Sequence, residues 1–343
     1  MVSDVHSSGV HSFSSADAAP AVSCCACSST VIGLVETHYD RHANTLYRLY
    51  ACSGCGVVFS EPRVAVGADW YSKAVPLEPQ KTPEDDARFS EFFRLNLPAG
   101  RVLDVGCGEG GFIDLAKRSG WHAVGFDYDP RKVAEVKKRG IEAHASDWSA
   151  FCGSRKEGEF DAVTLFDVLE HTPEPRELAK QARRLLKPGG TLVVTLPNAL
   201  RPMPYGREEY DFPPHHFTRW TPTALRSFLE REGFKVVRQE ASSLEFSYFL
   251  EIMTLHWGVK PALRLAKRVL FKKGASEAAS VTELSQSEAL PGALADKGLR
   301  QKLFGVYAAG AKVLLSPVAG AFWLSYAARR ERGNILFTAA EKE

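Results

Sequence analysis

From Arg101 onward, apolar residues fall in short dense runs separated by amphipathic stretches, and glycine or proline stands at most of the joins. RVLDV (101–105), WHAVGFD (121–127), IEAHASD (141–147), FDAVTLFDV (160–168), TLVVTLPN (191–198) and FKVVRQEA (234–241) read as strands. The run at 160–168 is apolar enough for burial on both faces, as a central parallel strand requires. Between these runs, FIDLAKRSG, PRKVAEVKKRG, EPRELAKQARRLLKPGG and TPTALRSFLEREG place apolar residues at helical spacing. Pro130 opens the second helix in its first turn, Thr221 is the N-cap of the last, and Gly120, Gly140 and Gly233 stand where helices stop. Such alternation with short connections predicts an α/β fold, a doubly wound Rossmann-like and mostly parallel sheet covered by helices on both faces. It lapses after Ser243 and returns only in NILFTAAEK. Residues 101–245 therefore read as the core, 246–333 as a helical insertion, and 334–343 as the last strand of the core.

Ahead of the core lie three further segments. Residues 1–20 are small and polar without an apolar signal region and read as a disordered tail. Residues 21–70 hold cysteine pairs and TLYRLYACSGCGVVF, which alternates like short strands. Residues 71–100 form a proline-bearing linker that ends in the short helix EDDARFSEFFRL.

Composition is that of an ordinary globular protein, with 45% hydrophobic and 24% charged residues. A net charge of +2 offers no general case for nucleic-acid binding, so none is expected. Of seven cysteines, five fall between positions 24 and 55. Cys24-x-x-Cys27 and Cys52-x-x-Cys55 each put two thiolates on a tight knuckle, and four thiolates suit a closed tetrahedral zinc site, a structural zinc ribbon. This spacing argues for a reducing, cytoplasmic setting rather than disulfides. Cys25 is the surplus thiol.

The chemically distinctive stretch is LDVGCGEGGF (103–112). Gly106-x-Gly108-x-x-Gly111 meets the dinucleotide fingerprint, and Asp127 follows about twenty residues later, where ribose hydroxyls would bind. A tight turn without a ligand meets the glycine pattern equally well. Charge separates the cofactors: a pyrophosphate avoids Asp104 and Glu109, whereas the ammonium and sulfonium of S-adenosylmethionine are drawn to a carboxylate.

LDVGCGEGGF, VGFDYDP, ASDW, LFDVLEHTPEP and LLKPGGTLVVTLPN, in that order, resemble the class I S-adenosylmethionine-dependent methyltransferases. The resemblance is to the subgroup of ubiquinone-type O-methyltransferases and sugar methyltransferases. It covers residues 101–243 plus the final strand, and GVVFSEP matches the stretch that follows an amino-terminal ribbon in many relatives. The resemblance implies that Asp104, Gly106, Cys107, Gly108 and Gly110 surround the methionine part of the cofactor. It implies that Asp127 takes the ribose hydroxyls with Tyr128 beside the adenine, and that Asp147 and Trp148 meet the adenine edge. Phe166 and Asp167 would line the approach to the methyl group. The residues themselves leave Asp127 open to a plain strand-end turn and Asp147 to a helix N-cap.

In-line methyl transfer needs alignment and a deprotonated nucleophile, so histidine is the first base to seek. His171 lies in LEHTPEP beyond the fourth strand, and His215 and His216 lie in DFPPHHFTRWTP, where related enzymes place substrate-facing loops. His171 and His216 are the candidate bases; each is equally readable as a structural hydrogen-bonder, and Tyr205 and Tyr210 are weaker alternatives. In the insertion, residues 253–273 suggest a basic amphipathic helix and 304–328 an apolar helical hairpin broken at Pro317, which read either as peripheral contact with a membrane on its cytoplasmic face or as helices packed on the protein. The acceptor class is therefore a small molecule, a sugar or a lipid-linked group. A nicotinamide-dependent oxidoreductase on the same fold and a non-catalytic zinc-ribbon adaptor are the alternatives.

Overall fold

The computed structural model describes residues 22–64, 82–201, 207, 209–242, 246–254, 310–324 and 330–343. Near the amino terminus, β1 (Ile32–Asp40), β2 (Thr45–Cys52) and β3 (Val58–Glu61) form an antiparallel meander. The core follows with β4 (Arg101–Val105), β5 (His122–Phe126), β6 (Glu142–His144), β7 (Phe160–Phe166) and β8 (Leu186–Pro197), then β9 (Thr218–Arg219), β10 (Phe234–Ala241) and β11 (Ile335–Lys342). Helices lead into the core, alternate with its strands and follow β10: α1 (Ala87–Phe93), α2 (Gly111–Arg118), α3 (Pro130–Lys138), α4 (Trp148–Gly153), α5 (Pro175–Leu185), α6 (Pro222–Arg231) and α7 (Phe246–Met253).

Seven strands make the main sheet in the order β10-β11-β8-β7-β4-β5-β6. β6, β5, β4, β7 and β8 run parallel, which is the doubly wound order with its switch point between β4 and β7. The carboxy-terminal strand β11 wedges between β8 and β10 and pairs antiparallel with both. The return of the chain to the sheet after a long insertion is thus as the alternation of apolar runs predicted.

Local differences have clear causes. The expected strand 141–147 shortens to Glu142–His144, because Asp147 accepts hydrogen bonds from the Ser149 and Ala150 amides and starts α4 there. Lys187–Gly190, read as a helix stop, lies instead within β8 as a bulge: Phe160 pairs with Leu186 and Ala162 with Thr191. The apolar run at 304–328 is not broken at Pro317, since residues 310–324 form one helix through it. The Ser316 hydroxyl donates to the Val313 carbonyl at 3.0 Å, occupying the acceptor that a proline at 317 cannot serve. Most of 253–273 lies outside the described residues.

The meander is bonded into the rest of the molecule. β9 joins it as a fourth strand, with Val58 opposite Arg219 and Phe59 opposite Thr218. Cys24, Cys52, Val57 and Phe59 share one buried cluster with Trp220, Leu225 and Phe228 around α6. Trp220 is fully buried, its indole N–H donates to Thr218 Oγ1 at 2.8 Å, and its ring lies 4.9 Å from Phe228. Thr218–Trp220 are therefore tied to both sheets, since Trp220 also bridges to Asn198 just past the end of β8.

Candidate functional site

At the carboxyl end of β4 the chain makes a turn that few side chains permit. Gly106, Gly108 and Gly110 have φ of +76°, +52° and +82°, in the left-handed region. The Gly106 and Cys107 amides both donate to the Phe126 carbonyl, at 2.7 and 2.9 Å, and pin the loop to β5. A Cβ at Gly106 would stand 2.7 Å from Val168 Cγ2, and one at Gly110 would stand 2.8 Å from Val136 Cγ2, so packing alone demands glycine at both. Gly108 differs: nothing lies within 4 Å of its Cβ position, and its open side is where a ligand can approach the backbone. Cys107 is buried with Sγ against Gly125, which leaves its backbone as its part in the loop.

Asp104 sits beneath this loop, 3% exposed. Thr164 of β7 donates to its Oδ1 at 2.7 Å, and Oδ2 accepts no hydrogen bond among the described residues. Burial pushes its carboxyl up to about 7, against the Thr164 bond and the Arg88 charge, which pull it down. A cationic ligand at this place draws out the carboxylate, whereas a pyrophosphate is repelled. Asp127, at the end of β5, uses both oxygens on backbone: Oδ2 accepts from the Gly108 amide at 2.9 Å and Oδ1 from the Asp129 amide at 2.8 Å. It ties the glycine loop to the next strand, at the level where a ribose diol would lie.

Around the next turn, Phe126 carries Tyr128 and Trp148 edge-on, at 5.3 and 5.1 Å. Tyr128 is exposed, and the buried Trp148 indole N–H finds no acceptor among the described residues. Asp147 is the N-cap of α4, which is one of the two roles its sequence context allowed. Phe166 packs on Phe112 and Phe89 at 4.9 and 5.1 Å, and so helps to fasten α1 to the core. Asp167, with φ of +54°, takes hydrogen bonds from Thr195 Oγ1 at 3.0 Å and from Arg88 of α1. Arg88 thus ties the linker helix to the end of β7, a contact its sequence context did not signal.

Past Asp167 the chain makes a short helical turn, Leu169–His171, that places Glu170 and His171 against the segment following β8. His171, His215 and His216 converge there, with ring centroids 4.5 to 4.8 Å apart. The sequence offered His171 and His216 as bases; the structure brings both together and adds His215. Burial, reinforced by the neighbouring imidazoles, holds His171 well below the ordinary histidine value and pulls His215 to about 4. His216 is lowered by burial against the pull of Asp211. All three imidazoles are neutral near pH 7. Glu170 is buried with both carboxyl oxygens unpartnered among the described residues, and burial together with Asp167 raises it well above the usual range. This acid is a second residue missed in the sequence, where an acid before a histidine carries no pattern.

Contacts from the amino-terminal meander steady the histidine segment. His38 stacks on Phe212 at 4.5 Å, Arg219 lies 4.9 Å over the same ring and pairs with Glu36, and the Ser60 amide donates to the Phe217 carbonyl at 2.9 Å. In the cysteine cluster beside the meander, Cys24 and Cys55 Sγ are 3.6 Å apart, and Cys27 and Cys52 Sγ are 3.5 Å apart. A tetrahedron of zinc–sulfur bonds of about 2.3 Å sets sulfur–sulfur separations near 3.8 Å, so the four thiols fit that ion. Hydrogen bonds from Cys27 and from the Cys55 and Gly54 backbone overcome burial and lower the Cys52 thiol to about 7, whereas burial raises Cys27 and Cys55, and the Cys25 hydrogen bond together with burial raises Cys24.

Residues 81–239 match the family model described as a methyltransferase domain. Among curated proteins, the ubiquinone biosynthesis O-methyltransferase of Xanthomonas oryzae pv. oryzae is 36% identical over 110 residues, 31% of this chain and 46% of that one. A probable S-adenosylmethionine-dependent methyltransferase of Mycolicibacterium smegmatis is 32% identical over 139 residues, 40% of this chain and 53% of that one. The chain thus spans about half the length of the curated relatives it matches. Among solved structures, a SAM-dependent methyltransferase from Archaeoglobus fulgidus aligns over 75% of this chain and 92% of its own, at 19% identity and a TM-score of 0.45. Residues 81–239 thus match a methyltransferase domain, and the strand order above gives the core a Rossmann-like fold.

Proposed function

We propose that the protein is a class I S-adenosylmethionine-dependent methyltransferase acting on a small-molecule, sugar or lipid-linked acceptor. The observation that carries this reading is Asp104, a carboxyl buried under an open glycine loop at the switch point of a methyltransferase domain. When bound, the cofactor supplies an electrophilic methyl group on a sulfonium. Asp104 would meet its ammonium, the Gly108 backbone its approach, Asp127 its ribose, and the Tyr128–Trp148 side its adenine. Phe166, Asp167 and Arg88 narrow the opening toward the histidines. A neutral imidazole of His171 or His216 would accept the acceptor's proton, and the histidine neighbourhood would hold the acceptor in line with the methyl group. The names of the relatives favour oxygen as the acceptor atom, with carbon as the other outcome.

The helical residues 310–324 bear on the lipid-linked option. Ala319 and Trp323 pack on Phe246, Phe249 and Met253 of α7, while Val313, Leu314, Val318, Phe322 and Leu324 are exposed. Among the described residues, no helix is long and apolar enough to cross a membrane. The test is calorimetry with S-adenosylhomocysteine, followed by incubation of the full chain with methyl-labelled cofactor and fractionated extract. Binding heat and label entering a lipid or sugar fraction are expected. A folded protein that shows no binding heat refutes the reading.

A further inference from the structure

We propose that His171, His215 and His216 form an open divalent transition-metal site of the zinc class, separate from the cysteine ribbon. One ring nitrogen from each histidine lies within 4.8 Å of the others. Nitrogen ligands at about 2.0–2.1 Å from a tetrahedral ion stand some 3.3 Å apart, so small side-chain rotations complete the site.

The surroundings orient the rings as ligands. His171 Nδ1 lies 2.7 Å from the His215 carbonyl, and His215 Nδ1 lies 2.7 Å from the Tyr210 carbonyl. A carbonyl only accepts, so each of these Nδ1 atoms carries the proton and leaves Nε2 as a lone pair. His216 Nδ1 faces Asp211 Oδ1 at 3.7 Å, a carboxylate behind the imidazole. Outer N–H groups held by carbonyls or a carboxylate are how metal-ligating histidines are positioned.

A second, independent observation points to a cation. Glu170 is 2% exposed, neither carboxyl oxygen has a hydrogen-bond partner among the described residues, and Oε1 lies 3.8 Å from His171 Nε2. A buried acid with no donor is costly where it stands, and a metal ion at the adjoining nitrogens compensates it. Three imidazoles with a nearby carboxylate suit zinc, cobalt or nickel, and disfavour magnesium and calcium, which seek oxygen-rich shells. With three protein nitrogens, the ion keeps a position for an exogenous oxygen. On the methyl-transfer reading above, that position takes an oxygen of the acceptor, and the histidines then act as ligands rather than as the base.

The experiment uses the full chain stripped with a chelator and reloaded with cobalt(II) or zinc. Cobalt is expected to fill two spectroscopically distinct sites: one with thiolate charge-transfer bands from the cysteines, and one with nitrogen-ligand d–d bands alone. Elemental analysis should show a second zinc per chain that H215A/H216A lacks while keeping the first. Glu170→Gln should retain the second ion but weaken it by about 10- to 100-fold. Only thiolate-type cobalt in the wild type, with zinc content unchanged by H215A/H216A, overturns the proposal. The wild-type spectrum distinguishes one site from two even where a variant fails to fold. Calorimetry with S-adenosylhomocysteine on the same samples separates the two readings, because cofactor heat persists if only the metal site is wrong.

Discussion

Replacing Asp104 with asparagine tests the cofactor cradle through its pH dependence. The carboxyl is pushed from an ordinary 3.8 to about 7 by burial, with Thr164 and Arg88 opposing and Asp127 adding to the rise. Because the folded value is raised, the stability this group contributes is complete below 3.8 and is lost as pH rises through about 7. The full loss amounts to roughly 4 kcal/mol. A cationic ligand reverses this preference by binding the ionised form. The ionised fraction climbs from roughly 0.1 at pH 6 to roughly 0.9 at pH 8, so the apparent affinity for S-adenosylhomocysteine should rise about tenfold over that interval. Asp104→Asn keeps an acceptor for the Thr164 hydroxyl but has no charge to offer. Its affinity should lose the slope due to this carboxyl and fall roughly 10- to 100-fold below wild type at pH 8, the worth of one charge-assisted contact. Its thermal stability at pH 8 should equal or exceed that of the wild type, since no buried carboxylate remains. Calorimetry at several pH values, paired with thermal melts, reads both effects. A wild-type affinity indifferent to pH, or an asparagine variant that binds as tightly at pH 8, would refute the assignment of this loop to a cationic cofactor.

Other predictions test neighbouring parts. Gly106→Ala puts a methyl into Val168 at a backbone φ of +76°; a loss of about 1–3 kcal/mol in denaturant unfolding is expected, together with weaker cofactor binding. Asp127→Ala frees the Gly108 amide and removes the expected ribose partner, and cofactor affinity should fall by roughly tenfold or more in calorimetry. Replacing Cys52 and Cys55 with serine, or chelating the zinc that the four thiols would hold, should lower the melting temperature. Loss of that cluster should also raise amide exchange in 211–220, because β3 and His38 hold that segment. Leu314→Glu should reduce flotation with lipid vesicles without changing cofactor binding, and an unchanged flotation would exclude 310–324 as a lipid contact.

Much of the core was legible because each of its parts is dictated locally. Short apolar runs that alternate with amphipathic helical stretches build a sheet covered on both faces, so the alternation indicated the doubly wound sheet, the place of the glycine loop and the return of the last strand, whereas the antiparallel pairing of that strand with β8 and β10 was not legible. Asp104, Asp127 and the two Cys-x-x-Cys knuckles were visible for the same reason, since each depends on neighbours within a few residues or on a strand end. Pro317 and Lys187–Gly190 departed from expectation where a local rule met a tertiary exception: Ser316 supplies the missing hydrogen bond in one case, and pairing with β7 absorbs the extra residues in the other. What only the tertiary structure decided is the company each side chain keeps. Glu170 and His171 are far in sequence from His215 and His216, and nothing in either stretch specifies that they meet. They are held together by β9, which pairs with β3, and by the Phe217 amide, which donates to the Glu170 carbonyl at 2.8 Å. Arg88 reaches Asp167 for a similar reason, once Phe89 and Phe92 seat α1 against Phe112 and Phe166. Periodicity records which face of an element is buried, whereas the partner it is buried against is chosen by the packing of the whole chain.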